Sequence, residues 1–193
     1  MLFLLALLSN GIGSELAESS TDRTTILFGE LLELVCGAAV IGIGVAVYAA
    51  FRDRSPALST GYLAVRISEA AVNALIVVST LTAVNLSGAT RDAFLEQRYQ
   101  TQIVYIYVFA LGAVFWYALL YRLRLVPRFI PVWGLAGVGI LLAGSVLNLF
   151  GQDLDMLVYG TPLGLNELFL GGWLIVRGLR MPAAAVVPAA ASA

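Results

Sequence analysis

Residues 25–51 read TILFGELLELVCGAAVIGIGVAVYAAF, and this stretch decides the fold class. It is long and apolar enough to cross a bilayer core of about 30 Å, which requires roughly 20 residues of helix. Two glutamates, Glu30 and Glu33, interrupt the stretch three residues apart. The segment therefore predicts a transmembrane helix that carries charge inside the membrane.

Four more stretches have the same apolar character, and a sixth begins the chain of 193 residues. Hydrophobic residues make up 60% of the chain and charged residues only 12%, whereas a soluble domain carries roughly 25% charged residues. We therefore predict an all-α integral membrane bundle of six transmembrane helices, formed by residues 1–180, and an Ala/Pro-rich disordered tail at 181–193. The predicted spans are 1–17, 25–51, 58–84, 101–121, 130–150 and 162–178.

The first apolar segment, residues 1–17, has two interpretations. Its apolar run from Met1 to Leu8, followed by small residues, also resembles the core of a secretory signal sequence. No basic residue precedes Leu2, which favours a membrane span over a signal. We expect a span whose start is clipped, since no polar flank comes before it, and a cleaved signal sequence stays open as the alternative.

The arginines are distributed unevenly across this topology, in which both termini lie on one side. The opposite side holds Arg23, Arg91 and Arg98 together with most of the acidic residues. Because cytoplasmic loops collect positive charge and tryptophans gather at membrane interfaces, we predict a multi-pass membrane protein with both termini in the cytoplasm. The terminal side holds Arg52, Arg54, Arg122, Arg124, Arg128, Arg177 and Arg180 with Asp53, and near it fall Trp116, Trp133 and Trp173.

The composition excludes several kinds of chemistry. All 11 basic residues are arginine, so the chain has no lysine for a Schiff base with retinal or pyridoxal phosphate. The absence of histidine excludes histidine-ligated haem, histidine zinc sites and serine–histidine catalysis. We therefore expect no catalytic residue, no metal and no cofactor. The net charge of -1 gives no basic footprint for nucleic acid, which we do not expect as a partner.

Five charged residues fall inside the predicted spans. A charge at the centre of a membrane helix costs at least ~2.5 kcal/mol on insertion scales, so such residues mark functional sites or obligatory pairs. Residues three apart share a helix face, which groups Glu30 with Glu33. With one arginine for four glutamates, a carboxyl group there is expected to be partly protonated or to bind a cation. The five are Glu30, Glu33, Arg66, Glu69 and Glu167.

These charges and the neighbouring amides predict a carboxylate-lined site between the midplane and the outer surface of the membrane. It would bind or pass a proton, a cation or a small ligand. The alternative is a non-enzymatic scaffold or accessory protein, because buried polar networks also fix helix packing without chemistry. A membrane-embedded enzyme is the weakest interpretation, since no histidine or lysine base exists. The candidate site residues are Glu33, Arg66, Glu69, Glu167, Glu30, Asn73 and Asn166, with Asn148 near them.

Small residues recur at helical spacing in three spans. Lipid tails give helices no hydrophobic reason to associate, so small residues are typical of surfaces where helix backbones approach closely. We expect packing within the chain, and an oligomer formed through a Gly/Ala helix face is the alternative. The residues are Ala38, Gly42, Ala46 and Ala50; Gly134, Gly137, Gly139 and Gly144; and Gly160 and Gly164, which flank Pro162 where the sixth span opens.

Several motifs, in this order along the chain, resemble the uncharacterised bacterial membrane proteins catalogued as domain of unknown function 4386. The resemblance implies a six-helix inner-membrane protein and brings no activity with it. Members usually carry a few more residues, some of them basic, before the first helix, and this chain departs from that pattern. The motifs are Leu32-Glu33-Leu34, Arg66-x-x-Glu69, Leu125-Val126-Pro127-Arg128-Phe129 with Val132-Trp133-Gly134-Leu135, and Glu167 with Trp173-Leu174-Ile175-Val176.

Overall fold

The computed structural model describes residues 2–19 and 22–180, and all regular secondary structure in these ranges is helical. The all-α prediction is thereby confirmed for the described residues, and the tail predicted at 181–193 lies outside them. The six helices are α1 (Leu2–Ser19), α2 (Arg23–Phe51), α3 (Pro56–Ala83), α4 (Gly88–Leu123), α5 (Phe129–Leu149) and α6 (Met156–Val176).

Four helices of the described chain, α2 to α5, are long and apolar enough to cross a membrane. They contain 21 to 36 residues, and at 1.5 Å per residue the shortest is about 30 Å long, which matches a bilayer core. The apolar sequence of α6 is interrupted by Pro162, Asn166 and Glu167. The chain thus has the helices of a membrane protein, and the predicted first and sixth spans stay predictions.

Helices that follow one another in the chain pack against each other. In the pairs α2–α3, α3–α4 and α5–α6, residue numbers rise along one helix as they fall along its neighbour, so these neighbours are antiparallel. The contacts that show this order are Gly37 with Asn73 and Gly44 with Arg66, Tyr62 with Trp116 and Glu69 with Tyr105, and Gly137 with Leu163 and Gly144 with Tyr159.

The antiparallel order gives the bundle two ends. We call the end with residues 84–87 and 150–155 the acidic end, after Asp153 and Asp155. At the opposite end lie residues 52–55, 124–128 and 177–180, and we call it the arginine end. The arginines there are Arg52, Arg54, Arg124, Arg128, Arg177 and Arg180.

The apolar core is densest toward the arginine end, where it closes the bundle. It joins side chains from α2 to α6 and from the connection between α4 and α5. Polar side chains and open space are therefore concentrated toward the acidic end. Large side chains that are fully buried in this core are Phe51, Tyr62, Tyr117, Leu119, Leu120, Leu125, Ile130 and Leu170.

Glycine allows two of the close helix contacts. A methyl carbon added to Gly44 would lie 3.0 Å from the Cβ of Arg66, and one on Gly137 would lie 3.0 Å from the Cα of Leu163. The second-span stripe of small residues does not pack within the described chain, so that prediction is wrong, and its use in an oligomer stays a prediction. In this stripe Gly42 is half-buried and the others are exposed: Ala38, Ala46 and Ala50.

The fourth helix begins at Gly88, much earlier than the span predicted at 101–121. Residues 88–100 are polar, so hydropathy finds only the apolar continuation of the helix. Most of these residues are nevertheless compatible with helix, and the side chain of Gln100 donates a hydrogen bond to Glu96 one turn earlier, at 2.7 Å. The polar first part of α4 extends the helix into the acidic end.

The sixth helix also begins earlier, at Met156 instead of 162. The carboxylate of Asp155 accepts a hydrogen bond from the backbone N–H of Leu157 at 2.9 Å, which starts the helix there. Pro162 therefore lies inside α6, so the prediction that it opens the span is wrong. Along the helix axis, Glu167 lies about 16 Å from the start of α6, whereas it lies only about 8 Å from Pro162, the predicted start of the span.

Candidate functional site

Arg98 of α4 is buried between two carboxylates of α2. Its Nη1 lies 3.2 Å from Glu30 Oε1, and its Nη2 lies 3.0 Å from Glu33 Oε1. Nη1 also donates to the Thr80 hydroxyl of α3 at 2.8 Å. We call these four residues the Arg98 cluster. Because its members come from three helices, the cluster ties α2, α3 and α4 together.

Arg98 lies in none of the predicted spans, so its burial beside Glu30 and Glu33 is not predicted from the sequence. Since α4 begins at Gly88, Arg98 lies about 15 Å along the helix, and its side chain is only 6% exposed. Charge balance is the signal that could have found it. Glu30 and Glu33 share a face of a helix that has no basic residue after Arg23, and buried carboxylates require a cation from another segment.

Arg66 and Glu69 of α3 form a second buried group. Arg66 Nη1 lies 2.6 Å from Glu69 Oε2, and the Tyr105 hydroxyl of α4 donates to Glu69 Oε1 at 3.1 Å. The guanidinium carbon of Arg66 lies 4.9 Å from the ring centre of Tyr62. We call these four residues the Arg66 cluster. Its ion pair lies within one helix, and the hydrogen bond from the Tyr105 hydroxyl links that helix to α4.

Gly112 of α4 lies beside the Arg66 cluster. A methyl carbon added there would lie 3.6 Å from Glu69 Oε2 and 3.8 Å from the guanidinium carbon of Arg66. These are ordinary van der Waals distances, so a larger side chain than alanine would compete with the ion pair for space. An alanine would therefore fit at this position, and the packing of the cluster against α4 does not depend on a glycine.

Glu167 of α6 faces the same space as the Arg66 cluster. The residue is 8% exposed, and its carboxylate has no ion pair or hydrogen bond with any described residue. At longer range its charge interacts with Arg66 and Glu69. Glu167 is therefore a buried carboxylate without an immediate counter-charge in the described chain.

Three of the predicted site residues lie outside the cavity walls. Asn166 points toward α5, where its Nδ2 donates to the carbonyl oxygen of Ile130 at 3.0 Å. Asn73 is buried where α2 and α3 meet, and its Oδ1 lies 3.7 Å from a methyl carbon placed on Gly37. Glu30 belongs to the Arg98 cluster. These side chains are placed for helix packing.

A cavity of about 700 Å³ connects the predicted charges to the acidic end. All six helices contribute to its walls. Four of the predicted site residues line it, and these are Glu33, Arg66, Glu69 and Glu167. Its aromatic side chains are Tyr99, Tyr105, Phe109 and Tyr159. The structure thus brings together the charged part of the predicted site.

Asn148 organises the rim of this cavity. Its Nδ2 donates to the carbonyl oxygen of Leu154 at 2.9 Å, and its Oδ1 accepts from the Leu154 N–H at 2.8 Å. Nδ2 also lies 3.2 Å from the Tyr159 hydroxyl. These bonds hold the connection between α5 and α6 over the rim, where Asp153 adds another carboxylate.

Metal ligands do not cluster in the part of the chain that the structure describes, since no three His, Cys, Asp or Glu side chains come together there. The thiol of Cys36 is free and buried, and it lines the cavity wall. The chemistry that the arrangement offers is therefore ionic and hydrogen-bonding, through carboxylates, one guanidinium group and tyrosine hydroxyls.

Comparison with known proteins agrees with the resemblance found in the motifs. No curated protein and no solved structure matches the chain. One family model, described as a domain of unknown function (DUF4386), matches residues 4–178, which include both clusters and the cavity. The match covers nearly the whole chain, and the protein therefore belongs to this DUF4386 family.

Proposed function

We propose that this protein is a multi-pass integral membrane protein that binds a small organic cation in the cavity, beside Glu167. One observation carries the proposal. Glu167 is a buried carboxylate that faces a cavity of about 700 Å³ and has no ion-pair partner among the described residues. A proton is the smallest cation that satisfies the same group, and it competes with the ligand.

In the proposed topology all six helices cross the bacterial inner membrane, and the arginine end lies in the cytoplasm. Four helices have the required length and hydropathy. The sixth helix, α6, is antiparallel to α5 and has the same length of 21 residues, so it would cross beside α5. The arginines at one end match the positive charge of cytoplasmic loops. The cavity would then open to the outside.

The charges in the cavity favour a cation over an anion. Glu33 is paired with Arg98 and Glu69 with Arg66, so both arginines are already engaged with carboxylates. Glu167 and the rim residue Asp153 remain as additional negative charges. Taking an isolated carboxylate out of water is costly, and a bound cation offsets that cost by supplying the missing positive charge.

The walls of the cavity favour an organic cation over a bare metal ion. Pockets of roughly 300–1,000 Å³ are typical for small organic ligands, and this cavity has a volume of about 700 Å³. Four aromatic rings line it, from Tyr99, Tyr105, Phe109 and Tyr159. Aromatic faces attract ammonium groups, while the apolar wall accommodates the carbon skeleton of the ligand.

The second candidate function is that of a scaffold or accessory protein, and the Arg98 cluster favours it. That cluster joins three helices and does not depend on a ligand. Both roles are compatible within one chain, because the Arg98 cluster and Glu167 use different residues. The scaffold role alone would leave Glu167 without a function.

The proposal is tested with the full chain in a neutral detergent, using phenethylamine and tetraethylammonium as probes. We expect saturable binding of both probes that raises the melting temperature. For phenethylamine, whose ammonium group donates hydrogen bonds, we expect Glu167→Gln to lose at least about tenfold in affinity, since hydrogen bonds to charged groups contribute about 1.5–3 kcal/mol. Binding is expected to weaken as the pH falls, because protons compete for the same carboxylate.

The matched control is Glu96→Gln, which removes an exposed glutamate of α4 that does not line the cavity. Its affinity for both probes should equal that of the unmodified protein. The proposal fails if neither probe binds saturably, or if Glu167→Gln binds them as well as the unmodified protein does.

A further inference from the structure

A small pocket of about 250 Å³ lies at the arginine end, on the side of the bundle opposite the cavity. Its walls come from two separate segments, residues 124–128 between α4 and α5 and residue 180 after α6. The backbone N–H of Arg180 donates to the carbonyl oxygen of Leu125 at 2.8 Å, which holds the two segments together. The fold thus assembles this pocket from distant parts of the chain.

Three of the five residues that line the pocket are arginines, namely Arg124, Arg128 and Arg180, and none carries a carboxylate. Within residues 2–19 and 22–180, none of these arginines makes an ion pair. The guanidinium carbon of Arg128 lies 5.2 Å from the ring centre of Tyr121, which restricts that side chain. The pocket therefore presents three guanidinium groups without a counter-charge from the described chain.

The backbone of Arg124 is unusual for a residue with a side chain. It ends α4 in the left-handed conformation, with φ of 54°. Glycine is the common residue at this position because it has no Cβ to clash. Arg124 therefore holds a strained backbone conformation at the pocket, and its replacement by glycine would relieve that strain while removing the guanidinium group.

Aromatic side chains near the pocket indicate at which level of the membrane it would lie. Phe129, the first residue of α5, lies with its ring centre 5.9 Å from that of Phe169, which also contacts Trp133 and Trp173. The amphipathic rings of the two tryptophans prefer the level of the lipid headgroups. In the proposed membrane orientation the arginines beside Phe129 then lie where lipid phosphates lie.

We infer that this pocket binds a phosphate group, carried by an anionic lipid or free in solution. Guanidinium groups match phosphate because their N–H forks bind two oxygens at once, and basic pockets at the ends of membrane helices bind phosphorylated headgroups. The inference is independent of the cation site, since the two sites lie at opposite ends of α5 and share no residue.

The test uses the full chain in a neutral detergent. Dihexanoyl phosphatidic acid, dihexanoyl phosphatidylcholine and inorganic phosphate are titrated separately by calorimetry. We expect saturable binding of phosphatidic acid and none of phosphatidylcholine, with affinity reduced about tenfold by Arg128→Gln or Arg180→Gln. The matched control is Arg122→Gln, which removes an exposed arginine at the same end that does not line the pocket.

A second variant, Arg124→Gly, separates charge from backbone strain. It relaxes the left-handed residue, so the melting temperature should stay equal or rise while the affinity for phosphatidic acid falls. If inorganic phosphate binds with the same dependence on Arg128 and Arg180, the phosphate group alone is recognised; if only phosphatidic acid binds, the site takes a lipid. The inference is overturned if neither binds saturably, or if Arg122→Gln weakens binding as much as Arg128→Gln.

Discussion

The Arg98 cluster and the Arg66 cluster bury the same kinds of charged residue, yet they are built differently. In the Arg98 cluster one guanidinium group divides its nitrogens between two glutamates and a threonine on other helices. In the Arg66 cluster the ion pair joins residues three apart on one helix, beside the cavity. The first connects helices, whereas the second places charge next to open space.

The number of buried charges therefore does not distinguish structural charged residues from functional ones. What separates them is where the partners come from and whether open space adjoins them. Glu30 lies outside the cavity and has Arg98 beside it, while Glu167 lines the cavity and has no such partner among the described residues. The two carboxylates should therefore respond differently to substitution.

The largest effect is expected for Arg98→Ala, because it removes the guanidinium group that lies beside both buried carboxylates, Glu30 and Glu33. Breaking a buried ion pair in this way costs about 3–5 kcal/mol of unfolding free energy. The measurement is denaturant unfolding in detergent micelles. Arg91→Ala, an exposed arginine of the same helix, should stay within about 0.5 kcal/mol of the unmodified protein.

A compensating variant, measured in the same unfolding experiment, tests whether the Arg98 cluster has a structural role. Arg98→Met combined with Glu30→Gln and Glu33→Gln removes the cluster without leaving a charge, so part of the lost stability should return. If Arg98→Ala and Arg91→Ala have the same unfolding free energy, the Arg98 cluster does not hold the helices together. The proposed difference between the two clusters would then be wrong.

A smaller effect is expected for Arg66→Gln, at about 2 kcal/mol. Only one carboxylate, Glu69, loses its cation, and it keeps the hydrogen bond from Tyr105. Unfolding in the same detergent measures the loss, and Arg66→Gln with Glu69→Gln should recover most of it. A loss as large as that of Arg98→Ala would show that the two clusters contribute equally to stability.

Tyr105→Phe tests the hydrogen bond by which α4 holds Glu69 of the Arg66 cluster. Its hydroxyl donates to Glu69 Oε1 at 3.1 Å, so its removal should cost about 1 kcal/mol of unfolding free energy. Tyr99→Phe is the matched control, because Tyr99 also lines the cavity but is 58% exposed. Equal unfolding free energies for the two variants would contradict a specific role for the Tyr105 hydroxyl.

The smallest effect on stability is expected for Glu167→Gln. The substitution removes a buried charge without an immediate partner, so the unfolding free energy should be unchanged or rise by less than about 1 kcal/mol. The same variant should lose cation binding, which Arg98→Ala cannot show because it destabilises the fold. A large loss of stability in Glu167→Gln would indicate that Glu167 is a structural residue.

Local sequence patterns were sufficient to predict where the long helices lie and which charged residues share one helix face. The spacing of Glu30 with Glu33 and of Arg66 with Glu69 places each pair on one helix face. The structure confirms this, since Glu30 and Glu33 both contact Arg98, and Arg66 contacts Glu69. Hydropathy also located the apolar centre of each long helix. These properties depend on residues within one or two turns, which is the range that sequence periodicity reports.

Long-range features were not predictable in the same way. The polar start of α4 hides Arg98 from hydropathy, and Asp155 begins α6 before Pro162, which changes the depth of Glu167. The sequence also does not predict that the side chains of Asn73 and Asn166 lie outside the cavity wall. In helices that are apolar on every side, the sequence does not indicate which face is turned inward, so contacts between helices decide it.

The most direct test of the account is a calorimetric titration of phenethylamine into the unmodified protein, Glu167→Gln and Glu30→Gln. We expect the unmodified protein and Glu30→Gln to bind phenethylamine with similar affinity. Arg98 keeps its ion pair with Glu33 in that variant, and Glu30 does not line the cavity. Glu167→Gln should bind at least about tenfold more weakly. Equal binding by Glu167→Gln and the unmodified protein would contradict the central claim that Glu167 holds the cation.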